Sequence, residues 1–235
     1  AARAADTLVF SADVQGAIFS AAPVQVQLTP LFNRAGNYGQ FLLPAILLAI
    51  WQILIVVTTV VHLTERSRNN VTSEEGWITE ADSFSSIWQR SLSLFVWFFL
   101  QGTFAALILY GMLGYPFFAS MAWLIPIAVL FIMACQGIAI CVCLIDGEAT
   151  KAVSFAGALT APSFAFLGVT FPTSDMPNLA TYWRELLPAA HGSELFFSLA
   201  NYGVWSDRLV YSVLALLLMV LATAPIYWLK RGRTQ

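Results

Sequence analysis

Five apolar runs, at 41–63, 91–113, 118–145, 152–171 and 208–229, constrain this chain more than any other feature. A bilayer core of about 30 Å takes roughly 20 apolar residues per crossing helix. In lipid, backbone N–H and C=O groups must be satisfied inside the segment, which leaves helices or closed barrels. Runs of this length predict helices, so the fold class is all-α transmembrane with about five spans. Hydrophobic residues make up 59% of the chain and charged residues 10%. Soluble domains carry about 25% charged residues, so a soluble core is excluded.

A sixth apolar stretch, 186–205, is interrupted by Pro188, His191, Glu194 and Asn201. It reads as a re-entrant or interfacial helical segment on the outer side, with a full span as the alternative. The stretch before it is punctuated by Phe171-Pro172, Met176-Pro177 and Leu187-Pro188. Each proline removes a backbone donor and stops or bends a helix. The whole outer piece is therefore placed at 172–207.

Lysine and arginine set the orientation. With the loop 64–90 in the cytoplasm, that side holds Arg66, Arg68, Arg90, Lys151, Lys230, Arg231 and Arg233. The other side holds Arg3, Arg34, Arg184 and Arg208. The basic C-terminal cluster is thus expected in the cytoplasm, in a multi-pass protein of the cytoplasmic (inner) membrane. Trp88, Trp205 and Trp228 fall near expected span ends, where interfacial aromatics belong.

Residues 1–40 have a different character. Val24-Gln25-Val26-Gln27-Leu28 alternates apolar and polar, the period of a half-buried strand. This segment is expected to be a short extracytoplasmic, strand-like end of a larger outer domain. No Met opens the chain and no basic segment precedes its first apolar run, so a signal peptide is not expected and the start reads as trimmed.

Several chemistries find no support in the residues. No G-x-x-x-x-G-K-[ST] loop and no glycine-rich dinucleotide loop occur, so ATP hydrolysis by that route is not expected here. Cys135, Cys141 and Cys143 share one apolar run and read as small buried hydrophobes, not metal ligands. His62 and His191 are expected on opposite sides of the membrane. Basic residues are too scattered for a nucleic-acid face.

The order P-x(5)-G-x-x-F-P-x(3)-M-P-x(9)-L-P is carried by Pro162, Gly168, Phe171-Pro172, Met176-Pro177 and Leu187-Pro188. It resembles the C-terminal signature of ABC-2-type permeases, the membrane subunits of one class of ATP-binding-cassette exporters. Leu31-Phe32-Asn33, Tyr38 and Leu43-Pro44 resemble that family's entry into its second span. The resemblance implies a half-transporter with a large outer domain after its first span, which this chain would lack along with most of that domain. It implies cytoplasmic ABC ATPase subunits as partners, a second permease copy, and in some systems a periplasmic adaptor. ATP and Mg would sit on the partner ATPase, with no cofactor in this chain. A polytopic scaffold or receptor-like anchor without an ATPase is the alternative.

The resemblance further implies that the loop 64–90 couples to the ATPase, through Glu65, Arg66, Glu74, Glu75 and Trp77. Phe171, Pro172, Met176, Pro177, Leu187, Pro188, His191 and Glu194 would form the outer re-entrant cap. A carboxylate such as Glu194 is costly near lipid unless wet or paired, and His191 lies one turn away on the same face. Gln52, Gln101 and Gln136 are candidates to line a path. Alternatively they hydrogen-bond between helices, at about 0.6 kcal/mol each.

Overall fold

The computed structural model describes residues 37–69, 83–145, 148–168 and 173–232. The expected strand at 24–28 and the residues Glu74, Glu75, Trp77, Phe171 and Pro172 lie outside them. No strand occurs among the described residues. Their helices are α1 (Tyr38–Asn69), α2 (Phe84–Leu92), α3 (Phe95–Ala106), α4 (Leu124–Ile145) and α5 (Ala149–Thr160). Then come α6 (Ser163–Phe166), α7 (Asn178–Glu185), α8 (Pro188–Asn201), α9 (Asp207–Leu221) and α10 (Thr223–Arg231).

Four stretches are long and apolar enough to cross a membrane: Tyr38–Glu65, Phe84–Met112, Met121–Ile145 and Asp207–Arg231. The second joins α2 and α3 through a turn at Ser93–Leu94 and continues as a π turn, Leu107–Met112. It starts earlier than the apolar run at 91 because α2 is amphipathic, with Ile87 buried and Ser85 and Gln89 exposed. Ser83 caps α2 by accepting from the Ser86 amide at 3.2 Å.

The expected span at 152–171 is the exception. It is not one helix: α5 ends at Thr160, a turn occupies Ala161–Pro162, and α6 is four residues long. Pro162 has no N–H and disrupts the helical ladder at that point. At about 1.5 Å per residue, the 12 residues of α5 rise only ~18 Å.

α4 is the central helix, apolar all round and buried along most of its length, as a core helix should be. It packs against α1, α8, α9 and α10, and α5 closes the bundle on α1. Phe131, Ile132, Cys135, Ile140 and Cys143 of α4 are buried with Ile55, Val56 and Val60 of α1. At Gly137 a Cβ would lie 3.0 Å from the Met219 carbonyl oxygen, so glycine lets α4 and α9 approach backbone to backbone.

Contacts sort the two ends of the bundle. Trp88 of α2 donates to the Thr223 hydroxyl of α10 at 3.3 Å, and Phe84 meets Tyr227 with ring centroids 5.5 Å apart. The α2 end and the Lys230–Arg231 end therefore lie together, which is the relation the charge count requires. At the opposite end, the amides of Phe118 and Ala119 donate to Ala200 and Leu199 of α8, at 3.0 and 3.1 Å. Trp123 meets Trp205 there, at 4.7 Å.

Gly102 of α3 lies against α1 at Trp51. A Cβ there would come within 2.5 Å of two ring atoms of Trp51. That ring is held by stacking on Phe131, centroids 5.2 Å apart. Gly102→Ala is therefore expected to cost about 1–3 kcal/mol through overpacking. The check is the melting temperature of the purified protein in detergent; an unchanged value would mean that α3 shifts away freely.

Candidate functional site

The site begins where regular helix fails. Gln52 of α1 is completely buried. It lies about 14 residues from Tyr38 and about 13 from Glu65, so ~20 Å from either end of that candidate span. Its Oε1 accepts from the amide of Ala189, near the start of α8. Its Nε2 donates to the hydroxyl of Ser163, at the start of α6. Ser163 in turn donates to the Thr160 carbonyl, the last residue of α5. One side chain thus ties together the end of α5, the start of α6 and the start of α8 at the middle of the bundle.

The physical need is clear. The first N–H groups of a helix have no intrahelical partner, and Pro188 occupies the first position of α8, where its missing donor does no harm. The next amide, Ala189, is buried and requires an acceptor. At this depth water does not supply one, and Gln52 does. From there α8 runs 14 residues, ~21 Å, to the end marked by Phe118 and Trp123. It is a half-helix that begins at mid-depth. Its first turns, buried on all sides, carry the small residues Ala189, Ala190, Gly192 and Ser193 beside His191. A Cβ on Gly192 would meet Phe131 at 2.8 Å, so glycine seats α8 against α4.

A second polar knot lies further along α8. Arg184, the penultimate residue of α7, is 5% exposed. Its Nη2 lies 2.6 Å from Glu194 Oε1. The other oxygen of Glu194 accepts from the Ser212 hydroxyl of α9 at 2.8 Å. Glu185 accepts from the Tyr211 hydroxyl, also at 2.8 Å, and stands 3.5 Å from Arg184 Nη1. His191 Nε2 lies 3.1 Å from the Glu185 carbonyl oxygen and 3.6 Å from its carboxylate. Carboxylates and hydroxyls thereby hold α7 and α8 to α9. Tyr211 and Ser212 are only four and five residues into α9, so the knot sits about 6–8 Å inside that helix.

The expected cap residues are placed unevenly. His191 and Glu194 share a face of α8, as the spacing predicts, but do not bond to each other; each turns to α7. Leu187 and Pro188 are buried at the turn into α8. Met176 is half-buried and Pro177 exposed, immediately ahead of α7.

The three glutamines separate. Gln52 is the cap just described. Gln136 is buried and donates to the Ser91 carbonyl at 2.8 Å, which satisfies the turn between α2 and α3. Both therefore bond between elements. Gln101 is exposed on the face of α3 that carries Trp97, Leu100 and Phe104. It is not brought to either of the others, because that face meets no other helix among the described residues. Of the expected coupling residues, Glu65 is exposed near the end of α1, and Arg66 belongs to the same helix.

Sequence reasoning missed Arg184, Glu185, Tyr211 and Ser212. Arg184 entered it only as an outer positive charge. The available signal was an adjacent Arg-Glu pair directly before an apolar patch that itself holds a carboxylate.

A family model described as ABC-2 family transporter protein matches residues 5–229. No curated protein matches the chain.

Proposed function

The chain belongs to the ABC-2 transporter family, and we propose that it is the permease subunit of an exporter driven by ATP hydrolysed on a partner ATPase. Membership makes it a multi-pass membrane protein and a transport subunit, not a catalyst. The family generally works with ABC ATPase subunits. The permease sits in the cytoplasmic membrane with its C-terminus inside, beside a second permease copy. The segment 64–90 meets the ATPase, with Glu65, Arg66, Glu74, Glu75 and Trp77 at the contact. ATP and Mg stay on the partner. ATP binding and hydrolysis move that segment and rock the helices between inward and outward arrangements.

The observation that carries this reading is the family match across nearly the whole chain, joined to the break at Gln52. Discontinuous helices at mid-depth are tolerated where protein buries them or a cavity wets them. In secondary transporters, broken helices at mid-depth form the substrate site around which the two halves rock. A simple anchor needs none.

The test is purification of the full-length protein in mild detergent with candidate ATPases, then ATP hydrolysis in liposomes. Co-purification of an ATPase with vanadate-sensitive hydrolysis is expected. A permease that carries no ATPase and supports no such hydrolysis would instead be a scaffold or an outer-domain anchor.

A further inference from the structure

The face of α3 turned away from the bundle holds a polar residue where lipid cannot satisfy one. Trp97, Leu100, Phe104 and Leu107 are exposed along it, at spacings of three and four residues. Of the four candidate spans, the one that contains α3 is the least buried. Gln101 lies in the middle of this face and is exposed as well. Its neighbour Gly102 lies against Trp51, which puts Gln101 close to the depth of Gln52, in the middle of the membrane. Among the described residues no group bonds to the Gln101 amide. Two donors and an acceptor therefore face acyl chains, which offer them nothing.

Two facts choose what covers this face. A side-chain amide carries both donor and acceptor, so it complements itself. Two copies of one membrane protein insert in the same orientation, so their two-fold axis stands along the membrane normal and each residue meets its counterpart at equal depth. A different partner has no such group at this depth by necessity. We propose that the exposed face of α3 is the contact between two copies of this chain, with the two Gln101 amides exchanging N–H···O bonds across the axis. This contact rests on the paired permease proposed above and names the face that pairs. The spacing of Trp97, Leu100, Phe104 and Leu107 is that of a helix–helix seam, and the amide fixes its register, as one polar residue does in a coiled coil. On α9, Leu214, Leu217, Leu218 and Leu221 are exposed too. No polar side chain interrupts residues 214–221, so that face suits lipid.

The test needs neither ATPase nor substrate. Leu100→Cys, Phe104→Cys and, on α9, Leu218→Cys are made singly in the full-length protein in liposomes, and a membrane-permeant oxidant is added. A disulfide-linked dimer is expected at 100 and 104 and not at 218. The parent, whose Cys135, Cys141 and Cys143 are buried, is the blank. Single-molecule photobleaching over a range of protein densities then gives the dimer affinity. Gln101→Leu is expected to weaken it about tenfold, and Gln101→Asn, which keeps the amide, to retain most of it. Gln101 faces away from the bundle, so melting temperatures are expected to stay unchanged, which separates lost pairing from lost folding. Dimers that link at 218 but not at 100 or 104, or whose affinity ignores Gln101→Leu, would overturn the α3 contact and leave the paired permease standing. A monomer at every density would overturn both.

Discussion

Replacing Arg184 with alanine is expected to destabilise the protein by about 3–5 kcal/mol. The substitution leaves Glu194 largely buried with no cation, because the 2.6 Å contact to Arg184 is its ion pair. Removing one member of a buried pair costs far more than the pair contributes, since the remaining charge stays desolvated. The hydroxyl of Ser212 remains on Glu194, but one neutral donor does not balance a carboxylate. Thermal unfolding of the purified protein in detergent is the measurement. A double substitution, Arg184→Met with Glu194→Leu, is expected to recover most of the loss, because an apolar pair of similar volume is often neutral or stabilising. A single variant that melts with the wild type would remove the ion pair from the account of how α7 is held.

Gln52→Leu is expected to be nearly as damaging, at about 3 kcal/mol. Leucine fills the volume but leaves the Ala189 amide without an acceptor at mid-depth. It also removes the link from α8 to Ser163. Ser163→Ala should cost about 1 kcal/mol, because the Gln52 amide loses its acceptor and the Thr160 carbonyl a donor while Ala189 keeps its own acceptor. The order of the two melting temperatures is the check. Equal effects, or a larger loss for Ser163→Ala, would mean that the start of α8 is not held through Gln52. In a transport assay the Gln52 variant is expected to lose more activity than its remaining folded fraction accounts for. The contact it breaks is the junction of three helices, not a peripheral one.

The membrane helices were legible because the signal for them is local. Twenty apolar residues in a row specify a spanning helix whatever surrounds them. Four of the five apolar runs correspond to helices of spanning length among the described residues. Their ends moved where the helix continues into polar sequence, as α2 does before residue 91. The fifth run contained its own contradiction at Pro162, and the helix stops beside it. The prolines at 177 and 188 likewise marked the starts of α7 and α8.

Side-chain partners were not legible, because they depend on which faces meet. Gln52, Gln101 and Gln136 looked alike in the sequence: three amides in apolar runs. Packing made the first a cap, the second an exposed residue and the third a brace for a turn. Arg184 looked like an interfacial positive charge. It is buried because α8 brings Glu194 to it and Ser212 of α9 holds that carboxylate, and no periodicity relates those three positions.

Taken alone, the sequence decided that the chain is a polytopic helical membrane protein, and roughly where it breaks. Transfer free energy and the missing proline donor act within one segment and need no fold. Tertiary structure decided what becomes of the breaks. A polar group in an apolar surround must find a partner, and the partners of Ala189, Arg184 and His191 come from helices that only packing places beside them.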